Sequence, residues 1–339
     1  MSDTYEPRLV SASSLVDDSR SDVSLRPPTF SELVGQGDLV SNLKVFVAAA
    51  RGRGDALDHI LLAGPPGLGK TTIAHLIANE LEVDLHVTSG PAIERKDLAG
   101  ILSHLKERDV LFIDEIHRLS PVVEEYLYPA MEDFKFDLVL GSGPHARSIE
   151  MPLPRFTLVG ATTRTGLLTG PMRDRFGFTG RLRYYDEDDL TVIIERSSKL
   201  LGIPCVGDGA AEMAKRCRGT PRIANRLLRR VRDFAEIKGT GTITPEITCY
   251  ALDKLGIDEK GFDEMDRRLL DSLVRKFGGG PVGLETLAAA MGEEPGTVEY
   301  VYEPFLIQEG YLARTSRGRV ATFQTYSYLG VPHPSEAFA

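Results

Sequence analysis

The sequence predicts an α/β domain with a parallel sheet, then a small all-helical domain, then a winged-helix domain. Short apolar runs alternate with helical segments in the first half, as in parallel sheets whose strands are buried on both faces. These runs are residues 59–63, 109–114 and 156–161. From about residue 188 the strands stop and helical periodicity takes over. Near the end, three helices followed by a strand-turn-strand over residues 310–322 predict a winged helix, a variant of the helix-turn-helix.

The elements define four regions. Residues 1–19 are a polar, acidic tail, which we expect to be disordered and which has no signal-peptide pattern. A large domain follows over 20–184, a small helical domain over 185–256 and a winged-helix domain over 257–339. The small domain's helices are predicted at 188–201, 208–218, 222–237 and 245–255. No apolar stretch is long enough for a membrane helix, so we expect a cytosolic protein.

A G-x-x-x-x-G-K-[ST] pattern occupies residues 64–71, between a predicted strand and a predicted helix. Gly64, Gly67 and Gly69 would let the backbone curl around phosphate oxygens. Lys70 can reach the β- and γ-phosphates, and Thr71 offers a hydroxyl to Mg²⁺. The alternative is a chance match in a glycine-rich turn. The flanking strand and helix favour a phosphate site.

Two carboxylates, Asp114 and Glu115, end the next apolar strand. Asp114 would hold Mg²⁺ and Glu115 would polarise the attacking water. The alternative is an ordinary charged strand end. Thr162 and Thr163 end a further strand, where a hydroxyl could bond the γ-phosphate or the water, although threonines often end strands.

Three arginines are candidates for offsetting the charge of a transferring phosphoryl group. Arg173 and Arg175 flank Asp174, and either could instead be a structural ion-pair partner. Arg222 opens a predicted helix and could reach a nucleotide across a domain gap. The alternative is that Arg222 is an ordinary helix arginine in a basic stretch.

The net charge of −9 argues against binding nucleic acid through bulk charge. A local patch remains, because residues 310–334 contain three arginines and no acidic residue. Arg314, Arg317 and Arg319 on this hairpin are predicted to contact the DNA backbone without reading sequence. The alternative is a solvated hairpin in a protein-binding winged helix.

Several exact strings make the chain resemble the AAA+ ATPases and, among them, the RuvB family of bacterial Holliday-junction branch-migration motors. The shared AAA+ strings are GPPGLGKTT at 64–72, FIDEIHRLS at 112–120, GATTR at 160–164 and RDRFG at 173–177. GTPRIANRLLRRVRDFA at 219–235 and GPVG at 280–283 are more specific to the RuvB family. The resemblance covers about residues 20–330. It implies an AAA+ P-loop domain, a helical lid domain and a winged-helix DNA-binding head.

The resemblance also implies residue roles. Arg175 matches an arginine finger that completes the neighbouring subunit's site, Arg222 an arginine that senses nucleotide, and Thr163 a sensor threonine. Arg314 and Arg319 match DNA contacts. Further ATP contacts are expected at Leu25, Arg26, Thr72, Glu132, Asp133, Phe134 and Tyr185.

The function implied is an ATP- and Mg²⁺-dependent hexameric ring that drives branch migration of Holliday junctions in recombination, DNA repair and the SOS response. Its implied partners are duplex junction DNA, RuvA, docked on the hairpin at 136–151, and the resolvase RuvC. One alternative is a clamp-loader-like ATPase that remodels protein, against which the basic wing argues. Another is a nucleotide-gated scaffold that hydrolyses little, against which Glu115 argues.

Overall fold

A computed structural model describes residues 8–12, 24–140 and 147–334. The chain forms two compact units, one of Ser21–Tyr185 and one of Met1–Arg20 with Asp186–Ala339. In the described residues, no helix is long and apolar enough to cross a membrane.

The first unit contains a five-stranded parallel sheet in the order β2-β3-β6-β1-β7. Its strands are β1 Ile60–Ala63, β2 Leu85–Ser89, β3 Val110–Asp114, β6 Thr157–Thr162 and β7 Phe178–Arg181. Its helices are α1 Gly37–Arg53, α2 Lys70–Leu81, α3 Arg95–His104, α4 Pro121–Glu132 and α5 Gly170–Asp174. The predicted α/β class with a parallel sheet is confirmed.

The central strands of the sheet could be predicted from the sequence, whereas the edge strands could not. β1 and β6 are buried along their whole length, and so is β3 except at Asp114, which explains their continuous apolar sequences. β2 and β7 lie at the two edges of the sheet and were not predicted. The β2 sequence LHVTS is only partly buried, and the β7 sequence FTGR has a single buried residue.

The predicted hairpin consists of β4 Lys135–Leu140 and β5 Arg147–Pro152, which pair antiparallel. Its expected glycine-centred turn at 141–143 lies outside the described residues. At its base, Phe136 is 1% exposed and lies in the same apolar core as Leu127 and Phe156. The hairpin is therefore anchored in the unit that contains the sheet.

Four helices make up the small helical part of the second unit: α6 Glu187–Leu200, α7 Gly209–Ala214, α8 Pro221–Lys238 and α9 Pro245–Lys254. α7 ends four residues before the predicted position 218. The chain turns here because Arg218 has a left-handed backbone, with φ of 52°. The buried Arg218 side chain donates to the carbonyl of Gly261 (2.8 Å) and pairs with Asp266.

The rest of this unit is the predicted winged helix. Its elements are α10 Glu264–Asp271, the π-helical Ser272–Lys276, α11 Leu284–Met291, α12 Pro295–Thr297, the π-helical Val298–Tyr302, α13 Glu303–Gln308, β8 Leu312–Thr315, β9 Gly318–Ala321 and α14 Phe323–Leu329. The last helix was not predicted. Pro295 occupies the first position of α12, where its missing N–H breaks no helical bond. A separate core around Phe262, Leu273 and Leu306 supports the wing, which is the hairpin of β8 and β9.

Candidate functional site

The loop between β1 and α2 depends on its three glycines. Gly64, Gly67 and Gly69 have φ of 151°, 77° and 99°, a region that other residues rarely adopt. A Cβ atom on Gly64 would lie 2.8 Å from the carbonyl oxygen of Leu182. The loop therefore has the glycine-dependent backbone on which phosphate cradles are built.

Lys70 opens α2, and its side chain folds back over this loop. Its Nζ donates to the carbonyls of Gly64 (2.8 Å) and Pro65 (2.9 Å), and the residue is 7% exposed. Thr71 and Thr72 follow in the first turn of α2, half-buried. An ammonium, a hydroxyl and the helix N-terminus thus converge at the loop.

Tyr185, Leu25 and Arg26 also lie in this unit. The hydroxyl of Tyr185, a residue 7% exposed, donates to the carbonyl of Leu68 in the loop (3.3 Å). Leu25 is buried. The pKa of His75 on α2 is lowered by partial burial and by the nearby Arg26 guanidinium, so Arg26 lies near the helix that follows the loop.

At the end of β3, Glu115 is brought to the end of β6. Asp114 Oδ1 accepts a hydrogen bond from the Glu115 backbone N–H (3.0 Å), and Glu115 has a left-handed φ of 49°. Thr163 Oγ1 donates to Glu115 Oε2 (3.1 Å). β3 and β6 are hydrogen-bonded neighbours, which explains the contact. Two residues predicted separately therefore form one cluster.

His117 belongs to the same cluster, and sequence reasoning missed it. Its Nδ1 lies 3.2 Å from Glu115 Oε2 and 2.9 Å from Thr162 Oγ1. Burial lowers the pKa of His117, although the neighbouring Glu115 carboxylate acts in the opposite direction. The only available signal was its position, two residues after Glu115. Its imidazole therefore lies beside the Glu115 carboxylate and is hydrogen-bonded to Thr162.

A second cluster joins Arg175 to the end of α4. Arg175 Nη2 donates to Glu132 Oε2 (2.9 Å), Nη1 donates to the Pro171 carbonyl (2.7 Å), and the guanidinium lies 4.3 Å from the centre of the Tyr128 ring. The structure thus brings together two predicted site residues, Arg175 and Glu132. The guanidinium is 20% exposed.

The neighbours of this cluster have structural contacts. Arg173 donates to the carbonyls of Thr165 and Leu168, both at 3.2 Å, and so ties down the turn that follows β6. Asp133 caps the end of α4. The Phe134 ring packs on Phe156 with centroids 5.9 Å apart. The predicted nucleotide contacts of Asp133 and Phe134 stay predictions.

Arg222 lies in the other unit, in the first turn of α8. Its Nη1 donates to the carbonyl of Ala12 (2.9 Å), in the part of the N-terminal tail that the structure describes.

The wing is less positively charged than its own sequence indicates, because Glu303 of α13 lies beneath it. Glu303 is fully buried and accepts from Arg319 Nε (2.7 Å) and Arg314 Nε (2.8 Å). Glu299 lies 3.2 Å from Arg314. Arg317, at the turn between β8 and β9, is exposed. Both carboxylates precede the hairpin in sequence, so the count of three arginines and no acidic residue over 310–334 does not include them.

Comparison with known proteins decides the family. A model of the Holliday junction DNA helicase RuvB P-loop domain matches residues 25–182, one of the RuvB AAA lid domain matches 185–258, and one of the RuvB C-terminal winged helix domain matches 259–330. The chain belongs to the RuvB family. Membership makes it an AAA+ P-loop ATPase with a lid and a winged helix, which confirms the predicted family and enzyme class.

Individual relatives agree with the family models. The Holliday junction branch migration complex subunit RuvB of Myxococcus xanthus (strain DK1622) is 62% identical over 316 residues, which are 93% of this chain and 92% of that protein. The solved Thermotoga maritima RuvB Holliday junction branch migration motor is 47% identical, with a TM-score of 0.82. The match covers 92% of this chain and all of that one.

Proposed function

We propose that this RuvB-family chain is an ATP-driven motor that moves Holliday junctions during recombination and repair, acting as a hexameric ring on duplex DNA with RuvA and RuvC. The observation that carries the proposal is the Glu115–Thr163 contact at the ends of adjacent strands, in a unit that also has a complete phosphate loop. A water-activating carboxylate held in this way is a feature of a hydrolase rather than of a passive switch. The cytosolic location expected from the sequence stays a prediction.

ATP would bind on the glycine loop, with Lys70 moving from the loop carbonyls to the β- and γ-phosphates. The glycine conformations at 64, 67 and 69 support this cradle. The Thr71 hydroxyl and the Asp114 carboxylate supply oxygen atoms suited to binding Mg²⁺, directly or through water. Bound Mg²⁺ supplies positive charge to the phosphate oxygens. Leu25, Arg26, Thr72 and Tyr185 would line the rest of the nucleotide site.

Hydrolysis would depend on Glu115 orienting and polarising the attacking water, with Thr163 and His117 holding its carboxylate. Arg175, with Glu132 beside it, would belong to the site of the neighbouring subunit, and so would Asp133 and Phe134. There its guanidinium would offset the charge that spreads over the γ-phosphoryl oxygens. A subunit on its own would then hydrolyse ATP poorly.

Force would pass from the nucleotide to DNA through the second unit. Arg222 would sense the nucleotide from the lid, and Arg314, Arg317 and Arg319 would contact the phosphate backbone without reading bases. The hairpin β4–β5 would dock RuvA. Its strand β5 carries Ile149, an apolar side chain that is half exposed.

Steady-state ATP turnover, measured with and without duplex DNA, tests this proposal. We expect DNA to stimulate turnover and Glu115→Gln to abolish it. Glu82→Gln, which removes an exposed carboxylate paired only on the surface with Arg51, is the matched control and should change nothing. Turnover indifferent to DNA would favour the protein-remodelling alternative, and ATP binding without turnover would favour the nucleotide-gated scaffold.

A further inference from the structure

Tyr128, on α4, carries the guanidinium of Arg175 on the face of its ring. The guanidinium carbon lies 4.3 Å from the ring centre, within the range of a cation–π interaction. The other charged contact of this guanidinium is with Glu132, the last residue of α4. The Glu132 side chain is 54% exposed, and an ion pair to so exposed a carboxylate is screened by water and fixes its partner weakly. The ring is therefore the firmer support.

The hydroxyl end of Tyr128 is fixed to the beginning of α5, the short helix that ends just before Arg175. Tyr128 OH donates to Glu124 Oε1 (2.7 Å) and lies 3.2 Å from Thr169 Oγ1. Thr169 caps α5, because its hydroxyl accepts from the Met172 N–H (3.3 Å), and it donates to the same Glu124 oxygen. Partial burial raises the pKa of Tyr128, so its hydroxyl stays protonated and can donate. Both ends of the tyrosine side chain thus contact the segment that bears Arg175.

The hydrogen bonds of Arg175 leave part of its guanidinium unsatisfied. Nη1 donates to the Pro171 carbonyl (2.7 Å), whereas the buried Nε has no hydrogen-bond partner among the described residues. A buried donor without an acceptor is unfavourable, and native proteins contain few of them. The electron-rich face of Tyr128 offsets part of that cost. Because the ring is neutral, it leaves the positive charge of the arginine intact.

We propose that Tyr128 is a positioning residue for Arg175, whose guanidinium its ring holds in one orientation before the neighbouring subunit's γ-phosphoryl group is contacted. The inference rests on the arginine-finger role proposed above for Arg175. A neutral ring suits this task better than a carboxylate, because a carboxylate would compete with the phosphoryl oxygens for the guanidinium charge. Orienting the charge in advance removes a reorganisation that the transition state would otherwise require.

The test replaces the ring by apolar side chains that have no π face. Tyr128→Leu and Tyr128→Met should each lower kcat for DNA-stimulated ATP hydrolysis about tenfold and change KM by less than about twofold. Tyr128→Phe keeps the ring and should recover most of kcat. The matched control is Tyr126→Leu on the same helix, which removes a ring lying 4.3 Å from the Arg95 guanidinium instead of that of Arg175. It should leave kcat unchanged.

Binding of a transition-state analogue separates positioning from a general loss of stability. ADP with aluminium fluoride mimics the phosphoryl group during transfer and should bind Tyr128→Leu about tenfold more weakly, whereas the Kd for a fluorescent ATP analogue should stay within about twofold. In an Arg175→Ala background, Tyr128→Leu should change neither kcat nor these affinities further, since the guanidinium that it positions is gone. Thermal unfolding of every variant shows whether the chain is folded at the assay temperature.

The defect should also be complemented between subunits, because the positioned guanidinium acts on the neighbouring site. Mixing Tyr128→Leu with Glu115→Gln protein creates interfaces with an intact Glu115 on one side and an intact Tyr128 on the other. Turnover per Tyr128→Leu subunit should therefore rise. No rise, in rings shown to exchange subunits, would place the effect of Tyr128 within its own subunit and overturn the inference.

Other results would overturn the inference and differ in what they leave standing. If Arg175→Ala lowers kcat while Tyr128→Leu and Tyr128→Met are normal, only the positioning role fails. If Tyr128→Leu lowers kcat as strongly in the Arg175→Ala background as alone, Tyr128 supports the fold and not the finger. If Arg175→Ala turns over normally, the finger role fails together with the inference, while DNA stimulation and Glu115→Gln still test the motor function independently.

Discussion

The Glu115 carboxylate lies among the side chains of Thr163 and His117, and the arrangement restricts where it can point. Thr163 Oγ1 donates to Oε2 (3.1 Å), and His117 Nδ1 lies 3.2 Å from the same oxygen. With Oε2 accepting from Thr163, we expect Oε1 to orient the water. We therefore expect hydrolysis to depend on the side chains that position Glu115 as well as on those that contact the nucleotide.

His117→Ala should lower kcat about tenfold and leave the KM for ATP nearly unchanged, because it loosens the Glu115 carboxylate without altering the phosphate loop. Steady-state ATP hydrolysis by the assembled protein measures both constants. His104→Ala, at an exposed histidine on α3, is the control. A normal kcat in His117→Ala would assign His117 to packing alone.

Arg175→Ala should leave nucleotide binding nearly intact and reduce turnover about a thousandfold, as expected for an arginine finger. Because the finger should act on a neighbouring subunit, mixing Arg175→Ala with Glu115→Gln protein should restore partial turnover. In the mixture, some interfaces combine an intact Glu115 with an intact Arg175. If mixing restores nothing while the rings still exchange subunits, Arg175 acts within its own subunit.

His59 makes the stability of the sheet unit depend on pH. Its Nδ1 accepts from the Leu158 N–H (2.9 Å), so Nε2 carries the proton towards the Met131 carbonyl (3.0 Å). This neutral form uses both nitrogens, and burial lowers the pKa of His59 below its usual 6.5. Since the unfolded chain binds the proton more readily, the free energy of unfolding should be highest above about pH 6.5 and fall as the pH drops below it.

Denaturant unfolding of the wild type and of His59→Leu, at several pH values from 5 to 8, checks this. His59→Leu should be less stable by about 2 kcal/mol at pH 8, because two hydrogen bonds are lost. It should also lose less stability than the wild type on acidification. Parallel pH curves for the two proteins would show that other groups cause the acid sensitivity.

Among the elements, helix α13 determines how exposed the arginines of the β8–β9 wing are. Glu303, fully buried on α13, holds Arg319 (13% exposed) and Arg314 (43% exposed) by ion pairs. Removing Arg319 would leave a buried carboxylate with one partner fewer, which destabilises a fold strongly. Arg317 has a different environment, because it is exposed at the turn.

Substitutions of the wing arginines should therefore differ in their effects on DNA binding and on stability. Arg317→Ala should weaken duplex binding, reduce its dependence on salt by about one ion and leave the melting temperature unchanged. Arg319→Ala should weaken DNA binding and also destabilise the winged helix by about 3 kcal/mol. Fluorescence anisotropy at several salt concentrations and thermal unfolding measure both effects. Equal melting temperatures for the two variants would contradict the role given to Glu303.

Some elements and contacts could be predicted from the sequence, and others could not. Lys70, Asp114 and Glu115 were predictable because they follow apolar strands that are buried along nearly their whole length. The edge strands β2 and β7 have no such run. The partner of the wing arginines precedes them by 11 and 16 residues on a different element, and only the folded chain brings them together. The contacts of residues 8–12 span more than 200 positions and left no local pattern.

For the whole molecule, a net charge of −9 means that DNA binding must be local. Two carboxylates beneath the wing reduce even that local charge, so a single winged helix should hold DNA weakly. A ring that presents several wings to one duplex would gain affinity through multivalency. Weak contacts that release and rebind suit a motor that must advance.

The motor function is best tested by following ATP consumption and four-way-junction migration in one reaction, with RuvA present. We predict that junction arms exchange only while ATP is hydrolysed, and that Glu115→Gln stops both while the protein still binds ATP. Hydrolysis at the normal rate with a stationary junction would contradict the motor function and leave only an AAA+ ATPase of the RuvB family.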